Sequence, residues 1–435
     1  MHPRHRADAL IALALGLAST AVYAWLALPL ARTVAFDFLN LAFDFDPLFF
    51  VTYLTAPLAE QDGLNYKHPL WMLFRPLASP FLWAGWSAKE SAALAMTLTG
   101  GLSVGLAYAY ARLTAMGRPE SAAAALLFAA SSCSLFTALI PESYGWVNLS
   151  LALLWCVHVA SQRRPGGLLA ARLASAVLVA GVTISNGVQS TLAEFFLRWR
   201  AQGWRRAVWL TACFGAGTLV LIGLALVVLQ PQDLWQALSR PVQTAKDVYW
   251  LRTKGDTVGL LELLQTYWIF GFFAPAFDHV PLAPQIVMLD FRAMAYSPVM
   301  LVIVGIWVVF WLVNAGHALR LPSSRWLAAA LLASVAFNVL FHLDYQYRGS
   351  VYIYASHLHF PLFALGLGAG PWVRQQGPRW RAAYTAVLLA LALAAVWTNG
   401  QRALEFNAHM QALQLPADAP EIGAPGAPRP TGGPP

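Results

Sequence analysis

Runs of about twenty apolar residues, separated by short arginine-bearing loops, recur along this chain and leave few folds open to it. In hydrocarbon every backbone N–H and C=O has to find a partner within the protein, so such runs become helices. The first, roughly Ala9 to Leu30, follows the basic MHPRHR. It is longer than the apolar core of a signal peptide and lacks an obvious small-residue cleavage site, so it reads as an uncleaved span. Further spans fall near 91–111, 121–140, 145–160, 168–184, 207–229, 296–314, 326–342, 351–369 and 382–398. A less hydrophobic helix near 188–200 returns from 168–184, because Ser185-Asn186-Gly187 interrupts the run. The expected fold class is an all-α integral membrane protein with about 10–11 transmembrane helices. Composition agrees: 11% of residues are charged, against about 25% in soluble domains. Cys133, Cys156 and Cys213 lie in apolar runs without CxxC spacing and read as small packing residues.

Charge sets the expected topology. With the N-terminus cytoplasmic, the inner loops carry Arg4, Arg6, Arg112, Arg118, Arg163, Arg164, Arg172, Arg198, Arg200, Arg205, Arg206, Arg320, Arg325, Arg374, Arg379 and Arg381. Only Asp8, Glu120 and Glu194 oppose them there, which satisfies the positive-inside rule. The net charge of +8 is therefore a mark of topology and not a nucleic-acid footprint. Two outer loops are long, 31–90 and 230–295. The first contains an amphipathic stretch, Tyr66 to Trp86, expected to form interfacial helices. The second has an amphipathic run near Asp233 to Trp250, then an apolar stretch from Val258 to Phe273 that contains Glu262 and reads as interfacial or re-entrant. Residues 1–400 are expected to form one polytopic domain; 401–435 would be an outer segment, disordered from about 415 on its Pro, Gly and Ala content.

The ionisable residues beside the spans gather on the outer side, and polar groups in such places are functional candidates. Just past the first span, DFLNLAFDFDP holds Asp37, Asp44 and Asp46. Then come Lys67-His68-Pro69, Pro141-Glu142-Ser143-Tyr144, and a late segment with His342, Asp344, Arg348, Tyr354, His357 and His359. A carboxylate at a membrane mouth can take a proton from a hydroxyl, and a nearby cation can hold a phosphate. Each group also has a plainer role. Asp46-Pro47 reads as a helix N-cap followed by proline at N1, Asp37 and Asp44 as loop charges, and Glu142 as a cap or ion-pair partner. His68 could be a turn residue and Arg348 could snorkel to headgroups. Asn186 could satisfy backbone groups freed by the helix break. His357 and His359 stand two apart and cannot share a helix face, so a metal held by both is not expected.

Taken in order, FDFDP at 43–47, KHPL at 67–70, PES at 141–143 and YASH at 354–357 resemble the GT-C glycosyltransferases, polytopic enzymes that use polyprenyl-phosphate sugars. The resemblance spans most of residues 10–400. It implies an inverting transfer of sugar from a polyprenyl-phosphate donor to a hydroxyl on a lipid or surface glycan, at the periplasmic face of a bacterial inner membrane. In that reading Asp46 is the general base, with Asp44 second. Lys67, His68, Glu142, Arg348, Tyr354 and His357 would bind substrate. The acidic motif departs from the commoner Asp-Glu pair, since Phe45 separates the two aspartates here. No large soluble domain is expected after the spans, so acceptor binding would fall to the outer loops. No cofactor is required; a divalent metal could be held by Asp44 and Asp46. The expected partners are membrane lipid, the lipid-linked donor and the acceptor, with no nucleic acid. The competing reading is a transporter or flippase, since a broken helix such as 168–200 is a feature of transporters.

Overall fold

The computed structural model of the chain describes residues 3–37, 42–56, 68–163, 168–230, 235, 239, 258–283, 286–291, 294–346 and 350–413. Lys67, Arg348, nearly all of the amphipathic run 233–250 and the tail from 414 lie outside the described residues. The protein is an integral membrane protein of packed helices. Among the described residues, seven helices are long and apolar enough to cross a bilayer. These are α1 (Pro3–Ala31), α4 (Ala88–Leu113), α7 (Ser143–Arg163), α10 (Trp204–Leu229), α12 (Pro298–Arg320), α13 (Arg325–Asp344) and α16 (Pro378–Ala412). Their outer faces are apolar: Val228 is 79% exposed, Val299 70% and Leu393 68%. Water would not tolerate such faces, but lipid does.

The remaining segments read as spans are shorter or broken. The run at 121–140 is two helices, α5 (Arg118–Ala130) and α6 (Ser132–Leu139), bent by 55°. The bend is held by partners far away in sequence. Ser132 N–H and Cys133 N–H donate to Phe272 O (3.3 Å) and Gly271 O (3.0 Å), and Ser132 Oγ donates to Phe270 O. Asn399 Nδ2 donates to Ala130 O and Phe272 O, and Asn399 Oδ1 accepts from Ala274 N. Backbone groups freed by a kink inside a membrane protein must be satisfied in this way. The accepting carbonyls of Phe270, Gly271 and Phe272 come from the apolar stretch after Val258, which is α11 (Leu260–Leu264) running into a π-helical turn at Gln265–Phe270. Tyr267, Phe270, Phe272 and Phe273 are fully buried, so the segment plugs the bundle. At 168–200 the break falls as expected: α8 (Leu169–Val182), a 3-10 turn at Ile184–Asn186, then α9 (Gly187–Gln202). The short, wholly buried α14 (Ser356–Leu365) precedes α15 (Gly370–Val373).

The two ends of the bundle differ in charge. Where α1 meets α4, Ser87 and Glu90 form a capping box, Arg32 Nε pairs with Glu90 (2.9 Å) and Lys89 Nζ with Asp37 (2.8 Å). Asp37 is thus a surface ion-pair residue. At the arginine-rich end, Asp8 receives Arg112 and Arg118, and Glu120 receives Arg381. Glu194, counted with the inner-loop charges, is fully buried between Arg172 Nε (2.9 Å) and Arg198 Nε (2.7 Å), with His158 Nε2 at 3.7 Å. A pair of this kind is affordable inside only when both charges are matched. Along their length α1 and α4 approach backbone to backbone: a Cβ on Gly101 would lie 2.0 Å from Thr20 Oγ1 and 2.4 Å from Gly16 O. Cys133 and Cys156 are buried packing residues, whereas Cys213 is exposed on the outside of α10.

Two short helices, α2 (Pro47–Thr55) and α3 (Arg75–Trp83), occupy the first long loop, α3 after a 3-10 turn at Trp71–Phe74. Trp83 is 85% exposed there, in keeping with an aromatic at headgroup level. The second long loop contributes one element that the apolar pattern did not predict, an antiparallel hairpin of β1 (Asp278–Ala283) and β2 (Ile286–Asp290). Asp278 faces Asp290, and the register slips between Pro281 and Ala283. The Asp44 segment joins this hairpin edge: Ala42 bridges Leu289 and Phe43 N–H donates to Leu289 O at 2.8 Å.

Candidate active site

The acidic motif is a strained turn pinned from every side. Phe43 and Asp44 both have positive φ, 53° and 57°, a region disfavoured by about 1–2 kcal/mol per residue for side chains with a Cβ. Burial holds it there. The Phe43 ring is wholly buried and lies 4.7 Å from Phe291, 4.8 Å from Tyr352 and 5.2 Å from Phe136, centroid to centroid. Strained backbone that packing over-determines is a frequent sign of a functional site. Asp44 Oδ2 accepts from Ser350 N at 2.7 Å, and Ser350 Oγ donates to Asp290 Oδ1 at 2.7 Å. Asp290 Oδ1 also accepts from Phe291 N.

Asp46 stands at the N-cap of α2 with Pro47 at N1, as the sequence suggests. Its carboxylate, however, makes no capping hydrogen bond to the first turn. A backbone N–H of the turn is held instead by Glu142, whose Oε2 accepts from Asp46 N at 2.8 Å. The other Glu142 oxygen, Oε1, accepts from Ser143 N (2.8 Å) and Ser143 Oγ (3.1 Å) at the start of α7. Asp44, Asp46 and Glu142 are all buried, at 7%, 9% and 3% exposure. Carboxylates so placed in a membrane protein are costly unless hydrogen-bonded, and those of Asp44 and Glu142 accept from backbone N–H groups.

A wall of rings continues from the motif. Phe45 stacks on Tyr144 (5.8 Å), Tyr144 meets the edge of His357 (5.6 Å), and Tyr354 stacks on His342 (4.3 Å). His357 is oriented by the helix break: its Nδ1 donates to Asn186 Oδ1 at 2.9 Å. Gln189 Nε2 donates to both Asn186 Oδ1 and the His357 carbonyl. Asn186 therefore positions an imidazole, beyond the backbone role its place in the break suggests. His68 anchors the KHPL segment on the same break, with Nδ1 donating to Val182 O at 2.6 Å, while Leu70 N donates to Gly181 O. A Cβ on Gly181 would meet the Leu70 side chain at 2.5 Å, so only glycine lets the segment dock so closely.

Asp44, Asp46, His68, Glu142, Tyr354 and His357 thus converge from four segments of the chain, while Lys67 and Arg348 lie outside the described residues. His359 departs from its neighbour, as the two-residue spacing requires. Its Nε2 lies 2.9 Å from Ser131 Oγ and 3.2 Å from Ser134 Oγ at the α5–α6 bend. Among the described residues no group of three or more His, Cys, Asp or Glu side chains is arranged to hold a metal. Asp290 and Ser350 went unnoticed in the sequence. The only hint of Asp290 was a lone acid ending the apolar run IVMLD, and Ser350 had none.

No protein-family model and no curated protein matches the sequence. Solved structures do match its shape. The Cupriavidus metallidurans ArnT structure, bound to undecaprenyl phosphate, superposes with a TM-score of 0.53 at 15% identity over 92% of this chain and 77% of that one. The Archaeoglobus fulgidus oligosaccharyltransferase, in its apo form, gives a TM-score of 0.48 at 15% identity, with 93% of this chain on 57% of that one. With its bent and broken helices and its bundle of apolar spans, the chain has the GT-C fold.

Proposed function

We propose that the protein is a membrane glycosyltransferase that moves a sugar from a polyprenyl-phosphate donor to a hydroxyl acceptor on the outer face of a bacterial inner membrane. The observation that carries this reading is Asp46: a buried carboxylate past the end of the first apolar helix, at the N-cap of α2 without capping it, on a turn fixed by Glu142. Undecaprenyl phosphate bound to ArnT, a fold neighbour of this chain, supports the donor class. In the reaction Asp46 takes the proton of the acceptor hydroxyl as its oxygen attacks the anomeric carbon. The bond from that carbon to the phosphate oxygen breaks, the polyprenyl phosphate departs, and the single displacement inverts the sugar. General-base catalysis of this kind contributes about 10²–10⁴-fold.

Asp44, tied to Ser350 and through it to Asp290, shapes the turn that carries Asp46. Glu142 acts on the turn from the other side and is a positioning residue. Lys67 and Arg348 are assigned to the donor phosphate, where charge-assisted hydrogen bonds would stabilise the leaving group. His68, Tyr354 and His357 would line the substrate space. The placement of these groups at helix ends, with Glu142 at the start of α7 and His342 at the close of α13, favours a surface-facing transferase over a transporter with a midplane site.

The test is turnover of labelled polyprenyl-phosphate sugars by the purified protein in lipid nanodiscs, with a crude envelope fraction as acceptor and Asp46→Asn alongside. Turnover that disappears in the variant while donor binding persists supports the proposal. Absence of donor binding and of turnover in the unaltered protein refutes it and moves the question to substrate transport.

A further inference from the structure

The end of the bundle opposite Asp46 holds a cavity of about 340 Å³. It opens where the ends of α4, α7 and α9 meet the α12–α13 and α14–α15 turns. Gln162 on its wall and Ser143 beside the candidate site lie on the same helix. At 1.5 Å per residue, about 30 Å separate the two places. The size is ordinary for a small-molecule pocket, and the wall mixes leucines with Thr114, Gln162, Arg200, Ser323, Ser324 and Gln375.

Charge decides what it would take. Arg200 is the only charged side chain among the described residues that line it, and no acid joins it. Its hydrogen bond goes to the uncharged Gln162 Oε1, at 3.4 Å. The acids at this end of the bundle are engaged elsewhere: Asp8 by Arg112 and Arg118, Glu120 by Arg381, Glu194 by Arg172 and Arg198. The start of α13 adds to the positive field. Ser324 stands at its N-cap but makes no side-chain cap; its Oγ donates to Ala318 O at 3.0 Å. Ser324 N–H and Arg325 N–H donate to Leu321 O and Ala328 N–H to Ser324 O, so the helix start adds its dipole to the field of Arg200 and leaves the cation as the main anchor.

We propose that this cavity is a second binding site, separate from the candidate active site, that takes a phosphate group with Arg200 as its principal cation. Apolar walls at Leu327, Leu331 and Leu365 suit a phosphate carried on a lipid, and the charge suits a free one as well. The site stands on the cavity and its charge, independently of the transferase reading.

The test measures binding of short-chain phosphatidylglycerol and of radiolabelled inorganic phosphate to the purified full-length chain. It compares the unaltered protein with Arg200→Gln, with Ser323→Trp at the exposed mouth, and with Asp46→Asn. Saturable binding is expected, weakened about tenfold or more by Arg200→Gln, as loss of a charge-assisted hydrogen bond implies. Binding should also be obstructed by Ser323→Trp and unchanged by Asp46→Asn. Binding of the lipid alone identifies a membrane headgroup as the occupant, and binding of phosphate alone a soluble anion; both support the site. No saturable binding of either probe overturns the proposal, as does equal binding by the unaltered protein and the two cavity variants. Loss of binding in Asp46→Asn would assign the phosphate to the other end of the bundle and overturn it too.

Discussion

Glu142→Ala puts the architecture of the acidic turn to a direct test. Glu142 Oε2 accepts from the Asp46 backbone N–H at 2.8 Å inside the protein. Truncation leaves that donor buried without its carboxylate, and Ser143 N–H loses its acceptor as well. A hydrogen bond to a charged group contributes about 1.5–3 kcal/mol. If that energy holds Asp46 in its reactive position, turnover should fall on the order of 10- to 100-fold. Glu142→Gln keeps one carbonyl oxygen but presents an amide N–H₂ to the second donor, so it can serve Asp46 N–H or Ser143 N–H but not both. It should fall between the wild type and alanine. The assay is steady-state transfer in nanodiscs with separate measurement of donor binding and of thermal unfolding. The expected pattern is a lower kcat, little change in donor affinity and a modest loss of stability. Full activity in Glu142→Ala would refute the reasoning, and so would donor binding that collapses in step with turnover.

Other perturbations probe the fold beneath the site. Phe43→Ala removes a wholly buried ring from the strained turn and should cost about 3–5 kcal/mol, seen as a lower unfolding temperature; an unchanged temperature would mean that the turn does not depend on its aromatic cage. Gly101→Val places side-chain atoms where Thr20 and the Gly16 carbonyl already stand. Overpacking of about 1–3 kcal/mol should follow, readable as a drop in thermal stability, with Gly101→Ala intermediate. Arg172→Ala strips a matched charge from the buried Glu194 and should destabilise by about 3–5 kcal/mol. The double variant Arg172→Met/Glu194→Leu should recover much of that loss in the same unfolding assay, and no recovery would argue against an ionic cause.

Much of the candidate site, whose residues await the tests above, draws notice along the chain, because its parts announce themselves by kind. Aspartates, a histidine before proline and a glutamate in a turn are conspicuous beside spans that avoid charge. Their plainer roles could be weighed only with partners in view. Asp46 reads equally well as a cap or a base until its carboxylate is seen to leave the first turn of α2 alone. Asn186 reads as a break residue until His357 is found on its amide oxygen. Asp290 and Ser350 escaped because their importance is relational: Ser350 meets Asp44 across 306 positions. The same holds for Glu194, which local charge counting sets among the inner-side charges and tertiary packing buries among arginines.

Apolar runs long enough to cross hydrocarbon, and the break at Ser185-Asn186-Gly187, follow from local sequence because the bilayer imposes its demands segment by segment. The bend at Ser131 does not, since no proline or glycine marks it. Its loose backbone groups are satisfied by carbonyls near residue 271 and by Asn399. The turn of Phe43 and Asp44 likewise needs rings from the hairpin region and from α6 to keep it in a conformation its own residues disfavour. The sequence by itself determined a helical membrane protein with an acidic segment just past its first span. Which carboxylate is held, by whom and at what angle was decided only by long-range packing, since a buried polar group takes its meaning from the partners that fold against it.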